Sequence, residues 1–80
     1  MKIKLLAFGI AGEIVGSSSS VVEIPNDADI HFLRQYLSEK YPALATVLEY
    51  ALAVNRSYVQ DNISLKENDE IAIIPPVSGG

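Results

Sequence analysis

The residues best placed to do chemistry stand at the C-terminal end: Ile71-Ala72-Ile73-Ile74-Pro75-Pro76-Val77-Ser78-Gly79-Gly80. Proline fixes φ and donates no backbone N–H, so Pro75-Pro76 ends any sheet ladder and projects the last residues as a stiff, extended arm. Gly79 and Gly80 lack a Cβ, so the backbone can enter a passage too narrow for side chains, with the terminal carboxylate sterically open. An ionised carboxylate is a poor electrophile at neutral pH, so another protein must activate it, most simply by adenylation, before sulfide or an amine attacks. A terminal Gly-Gly by itself reads as a frayed end. Preceded by a strand, Pro-Pro, one apolar residue and Ser, it reads as a reactive tail.

No other constellation competes with it. The chain has no cysteine, so disulfides and thiolate sites are excluded and any sulfur chemistry must use the backbone terminus. His31 is the only histidine; it lies off the apolar stripe of its helix without a metal-binding companion and reads as solvated. Asp27 and Asp29 read as helix caps, and Asp69 and Glu70 as a solvated turn, so no carboxylate pair is spaced for acid–base work. The glycines and serines of 9–20 lack the lysine and the spacing of a P-loop. The net charge of −4 argues against nucleic acid, which needs clustered cations, and favours a partner with a basic surface.

Eighty residues, 49% of them hydrophobic and 20% charged, make one small globular domain with a modest core. No apolar run approaches the roughly 20 residues of a membrane span. The short apolar stretch after Lys2 and Lys4 is broken by Gly9, Gly12 and Glu13 and does not read as a signal peptide, so a soluble, cytoplasmic protein is expected.

Several elements must position the tail. Residues 2–8 alternate as a strand, with Ile3, Leu5 and Ala7 on one face and Lys2, Lys4, Leu6 and Phe8 on the other. Gly9, Gly12 and Gly16 break the pattern, Ser17 to Ser20 read as a hairpin loop and Val21–Ile24 as the returning strand, closed by Pro25. Ile30, Leu33 and Leu37 mark a helical face, with Asp29 as N-cap and an end near Lys40 imposed by Pro42. Residues 43–50 have weak helical periodicity. Leu52–Val54 and Ser57–Val59 form a small hairpin around Asn55-Arg56, and Asn68 suits a left-handed turn before the last strand. With that strand parallel to the first, the helix covers Ile3, Leu5, Ala7, Ile71 and Ile73, giving an α+β fold with one helix across a mixed sheet. Leu6, Phe8 and Ile74 then remain uncovered near the tail's exit, where an apolar cluster marks a contact surface.

Ala53-Val54-Asn55, and Asn68-Asp69-Glu70 running on to Gly80, resemble the molybdopterin synthase small subunit, a sulfur carrier of the ubiquitin-like β-grasp type. Phe8 and Glu13-Ile14-Val15-Gly16 match that family as well, so the resemblance spans essentially the whole chain. It implies a β-grasp domain over residues 1–75 and a flexible reactive tail over 76–80. Two positions depart from the pattern: Gly12, where many members have arginine, and Asn68, where glycine is usual. The first bears on polar contacts with the partner; the second is mild, because asparagine tolerates the left-handed region.

The resemblance further implies that an activating enzyme uses ATP to adenylate Gly80, that a sulfur donor system converts it to a thiocarboxylate, and that the tail enters the active site of the large synthase subunit. There it would deliver sulfur to cyclic pyranopterin monophosphate. Gly80 would carry the sulfur, Gly79 would permit entry, Pro75, Pro76, Val77 and Ser78 would set reach and direction, and Leu6, Phe8 and Ile74 would belong to the docking surface. The chain itself would bind no cofactor or metal and hold no independent active site. Rival readings are a carrier for thiamine or tRNA thiolation, a ubiquitin-like modifier joined to lysines, and a non-covalent binding module.

Overall fold

A computed structural model describes residues 1–47, 50–59 and 62–75 of the chain. The elements are β1 (Lys2–Ala7), α1 (Ile10–Val15), β2 (Ser19–Glu23), α2 (Ile30–Lys40), α3 (Pro42–Val47), β3 (Ala51–Val54), β4 (Ser57–Tyr58) and β5 (Glu70–Ile74). The strands form one mixed sheet in the order β2-β1-β5-β3-β4. β1 and β5 run parallel at its centre, while β2 and β3 pair antiparallel with them on either side and β4 closes the far edge.

The alternation in β1 and β5 decides which face α2 covers. Ile3, Leu5, Ile71 and Ile73 are essentially inaccessible and point with Leu52 and Val54 to the helix side, where Ile30, Leu33 and Leu37 of α2 meet them. Full burial of each large aliphatic side chain contributes about 1.5–3 kcal/mol. Leu44 of α3 and Leu65 complete this core. α2 starts where the Asp29 carboxylate accepts from the Phe32 backbone N–H at 2.9 Å. It ends at Lys40, before Pro42, as the proline requires.

The glycine-broken stretch before the expected hairpin loop contains α1. Gly9 (φ 56) and Gly16 (φ 89) interrupt the strand pattern but also bracket a six-residue helix. Phe8 C=O accepts from Ala11 N–H at 3.1 Å and Gly12 C=O from Gly16 N–H at 2.9 Å. Ala11 is completely buried, and Ile14 and Val15 pack on the core. Gly12, which departs from the related pattern, lies where α1 crosses the end of β1: a Cβ there would come within 3.1 Å of the Ala7 carbonyl oxygen. The return strand also begins earlier than expected, because Ser19 and Ser20 pair with Leu6 and Leu5.

Asn55 (φ 49), Arg56 (φ 73) and Asn68 (φ 68) are the described non-glycine residues with left-handed backbone. All three sit in the turns expected of them. Residues 42–47 form α3, in the region of weak periodicity. No helix among the described residues is long and apolar enough to cross a membrane.

Candidate functional site

Among the described residues no helix covers the face of the sheet opposite α2, and the composition of that face changes along the strands. Register places Lys4 beside Val21 on one side and Glu70 on the other. Two residues along the strand, Leu6, Ala72, Ala53 and Tyr58 stand in a row across four strands. Two further on, Ile74 stands opposite Ala51, and Phe8, just past the end of β1, still donates its N–H to Ile73 C=O at 3.3 Å. The face therefore passes from charged to apolar toward the end of β5.

Small residues at the centre of that row make the face concave. Ala53 and Ala72 form the floor of a shallow hollow of about 380 Å³, walled by Leu6, Phe8, Tyr58 and Ile74 and bordered by Arg56 and Glu70. Phe8 is 51% exposed and Tyr58 67%. Ala53 is buried although it lies outside the helix-side core, because its larger neighbours shield it. The structure thus brings Leu6, Phe8 and Ile74 together. Sequence reasoning missed Tyr58, Ala53 and Ala72, which join them only once β3 is known to pair antiparallel with β5. The available signal was the small, alternating alanine at both 53 and 72.

The hollow reaches Ile74, the last residue of β5. Pro75 follows Ile74 directly, and its Cγ lies 3.5 Å from where a Cβ on Gly9 would stand. Gly9 combines φ 56 with ψ −133, backbone that glycine adopts without steric penalty. It turns the chain from β1 into α1, and the backbone conformation rather than crowding by Pro75 is what favours glycine, since 3.5 Å is ordinary van der Waals contact. The remaining tail residues, Pro76, Val77, Ser78, Gly79 and Gly80, lie outside the described residues.

The ionisable groups act as structural ties. Hydrogen bonds from the Asn62 side chain and the Phe32 N–H hold the Asp29 carboxyl below its ordinary pKa. The Lys40 ammonium is held above its ordinary value by its 3.1 Å bond to the Tyr36 hydroxyl and by the charge of the neighbouring tyrosines. His31 is exposed, and its backbone N–H donates to Asn62 Oδ1. Asp69, read as a solvated turn residue, accepts from Asn55 Nδ2 at 2.9 Å and from Lys66 N–H at 2.8 Å. Among the described residues no three His, Cys, Asp or Glu side chains converge as a metal site. The geometry offers an apolar hollow beside the end of β5.

Comparison with known proteins agrees over the full chain. The model of the ThiS family matches residues 5–80. The molybdopterin synthase sulfur carrier subunit of Caenorhabditis briggsae is 41% identical over 83 aligned residues, which take in 100% of this chain and 99% of that protein. A solved Pyrococcus furiosus structure, described as a candidate molybdopterin converting factor subunit 1, superposes with a TM-score of 0.86 over 96% of this chain and 99% of that one. At 22% identity it speaks for the fold alone. A subunit 1 and 2 complex of molybdopterin-converting factor from Helicobacter pylori includes a chain 28% identical, with a TM-score of 0.71 and complete coverage of both chains. The fold is the β-grasp, and the chain belongs to the ThiS family, among the sulfur carrier subunits of molybdopterin synthase.

Proposed function

We propose that the chain carries sulfur on the carboxyl group of Gly80 and delivers it while its open sheet face is docked on the large subunit of molybdopterin synthase. The observation that carries the reading is the placement of the hollow: Leu6, Phe8 and Ile74 wall it, and Ile74 leads straight into Pro75 and the tail. Docking through that face brings the first tail residue to the interface. Covalent geometry limits the reach of the last five residues to roughly 17 Å, so the seat must lie close to the acceptor site. The Helicobacter pylori relative is solved as a complex of the two converting-factor subunits.

Loading conserves atoms and charge in two steps. An activating enzyme joins the Gly80 carboxylate to the α-phosphate of ATP, releasing pyrophosphate. A sulfide-level nucleophile from a sulfur donor system attacks the carbonyl carbon; the C–S bond forms and AMP leaves with the electron pair of the broken C–O bond. The thiocarboxylate sulfur then bonds to an acceptor carbon of cyclic pyranopterin monophosphate in the large subunit, displacing an oxygen substituent, and water hydrolyses the resulting thioester, so that sulfur stays on the acceptor and Gly80 regains its carboxylate. Gly79 leaves the approach unobstructed, and Pro75, Pro76, Val77 and Ser78 fix its direction and length. The large subunit supplies the acids and bases. A cytoplasmic site of action accords with the supply of ATP.

The test is intact mass after incubation with ATP, a sulfur donor and a competent activating enzyme. The expected result is the gain of one oxygen-to-sulfur exchange, absent when Gly80 is deleted. No gain, with an enzyme shown to charge another carrier, would overturn the reading. Conjugates linked through Gly80 to lysines would point instead to a protein modifier.

A further inference from the structure

The β3–β4 turn is built from two consecutive residues at positive φ, Asn55 (49) and Arg56 (73). A two-residue hairpin turn of this kind favours Asn-Gly, because its second position burdens any side chain. Asparagine occupies the first position, but arginine occupies the second. The conformation is imposed from outside: Asn55 N–H donates to Glu70 C=O at 2.7 Å, Asn55 Nδ2 donates to Asp69 Oδ1 at 2.9 Å, and Glu70 N–H donates to Asn55 Oδ1 at 3.0 Å. Strain held in place by its surroundings is a reason to look for function. Glycine would serve the turn better, so the fold does not account for the arginine side chain.

The guanidinium stands at the rim of the hollow, at the end away from Phe8 and the tail. Its side chain is 90% exposed, and Nε lies 3.9 Å from Glu70 Oε1, a long pairing that ties it down little. Lys4 is in register with Glu70 on the same face. Lys4 and Arg56 thus lie on either side of the Glu70 carboxylate at the charged end of the face, while the neighbouring Asp69 carboxylate is occupied by Asn55 and the Lys66 N–H. Arginine offers a planar fork of donors matched to a carboxylate, and it is enriched among residues that dominate interfaces.

We infer that Arg56 is a specificity-determining contact of the open face, pairing with an acidic side chain of the large subunit at the edge of the apolar seat. The inference rests on the docking reading above and adds the charge of the counter-group. Its basis is the convergence of a strained turn and an exposed, weakly tied guanidinium fork at the rim of the hollow.

The test is titration calorimetry of the full chain against its cognate large subunit, at about 50 mM and about 500 mM salt, for wild type, Arg56→Gly, Arg56→Glu and Phe8→Asp. Arg56→Gly relieves the turn, so its thermal midpoint should hold or rise while its Kd weakens about three- to tenfold at low salt and less at high salt. A purely structural role would not separate stability from affinity in this way. Arg56→Glu should weaken binding further. Arg56 variants that bind within about twofold of wild type while Phe8→Asp abolishes binding would overturn the Arg56 assignment and leave the docking face intact. Tighter binding by Arg56→Glu would place a basic group opposite and overturn it as well. Wild-type binding by Phe8→Asp would overturn the docking reading, and the Arg56 contact with it.

Discussion

Replacing Phe8 with alanine should separate docking from folding. Phe8 lies beyond β1, is 51% exposed as a residue, and walls the hollow without contributing to the helix-side core. A phenylalanine offers roughly 200 Å² for burial, so about half of that remains for a partner to cover. At ~25 cal/mol per Å² this corresponds to about 2.5 kcal/mol, reduced to about 2 kcal/mol by the methyl group that alanine retains. A loss of that size weakens Kd roughly 30-fold. Titration calorimetry with the cognate large subunit measures it, and urea unfolding should show a stability change of less than about 1 kcal/mol. Val21→Ala is the control, because Val21 is 69% exposed on the same sheet face but lies outside the hollow. If exposure alone determined affinity, Val21→Ala would also bind more weakly. A Phe8→Ala protein within about threefold of wild type, or equal losses at both positions, would refute the assignment of the hollow as the seat.

Three further substitutions probe the supports of that face. Ile73→Ala removes a fully buried side chain from the strand that lines the hollow with Ala72 and Ile74; it should cost about 2–5 kcal/mol in urea unfolding, and a loss below about 1 kcal/mol would contradict the packing. Gly16→Ala places a Cβ at φ 89 with no atom within 4 Å, so its cost, about 1 kcal/mol of backbone strain, should appear in equilibrium unfolding without any steric component. Asp29→Asn keeps a good N-cap but removes the titration. Because the folded state lowers the Asp29 pKa, its carboxylate contributes stability above the ordinary value of 3.8 and loses it as pH falls through the lower folded value. The thermal midpoint of wild type should therefore lose ground to Asp29→Asn only in strong acid, and a constant difference down to pH of about 2 would count against the linkage.

Much of this arrangement was legible in the sequence because its signals are local. Period-two alternation in residues 2–8 and 71–74 assigned the inward side chains, Pro42 stopped α2, and the asparagines at 55 and 68 marked left-handed turns. α1 was not legible. Its six residues are too few for helical periodicity to rise above a strand-and-loop pattern, and the glycines that signalled a break also form its two ends. The floor of the hollow was hidden for a different reason. Ala53, Ala72 and Tyr58 become neighbours only through the pairing of β3 with β5 and β4, a long-range register that no window of the sequence contains.

β5 ties these levels together, since Ile71 and Ile73 anchor it in the core while Ala72 and Ile74 face the hollow. The same strand then passes into Pro75, beside the glycine that turns β1 into α1. A side chain at position 72 larger than alanine would raise the floor without touching the helix-side core, so partner fit and stability are written on alternate residues of one strand. On the proposed docking, the functional burden placed on this chain is geometric: β5 presents the hollow through Ala72 and Ile74 and leads into Pro75 at its edge. On the proposed reading, that division of labour leaves the sulfur to the terminal carboxyl group, in keeping with a sequence that holds no cysteine.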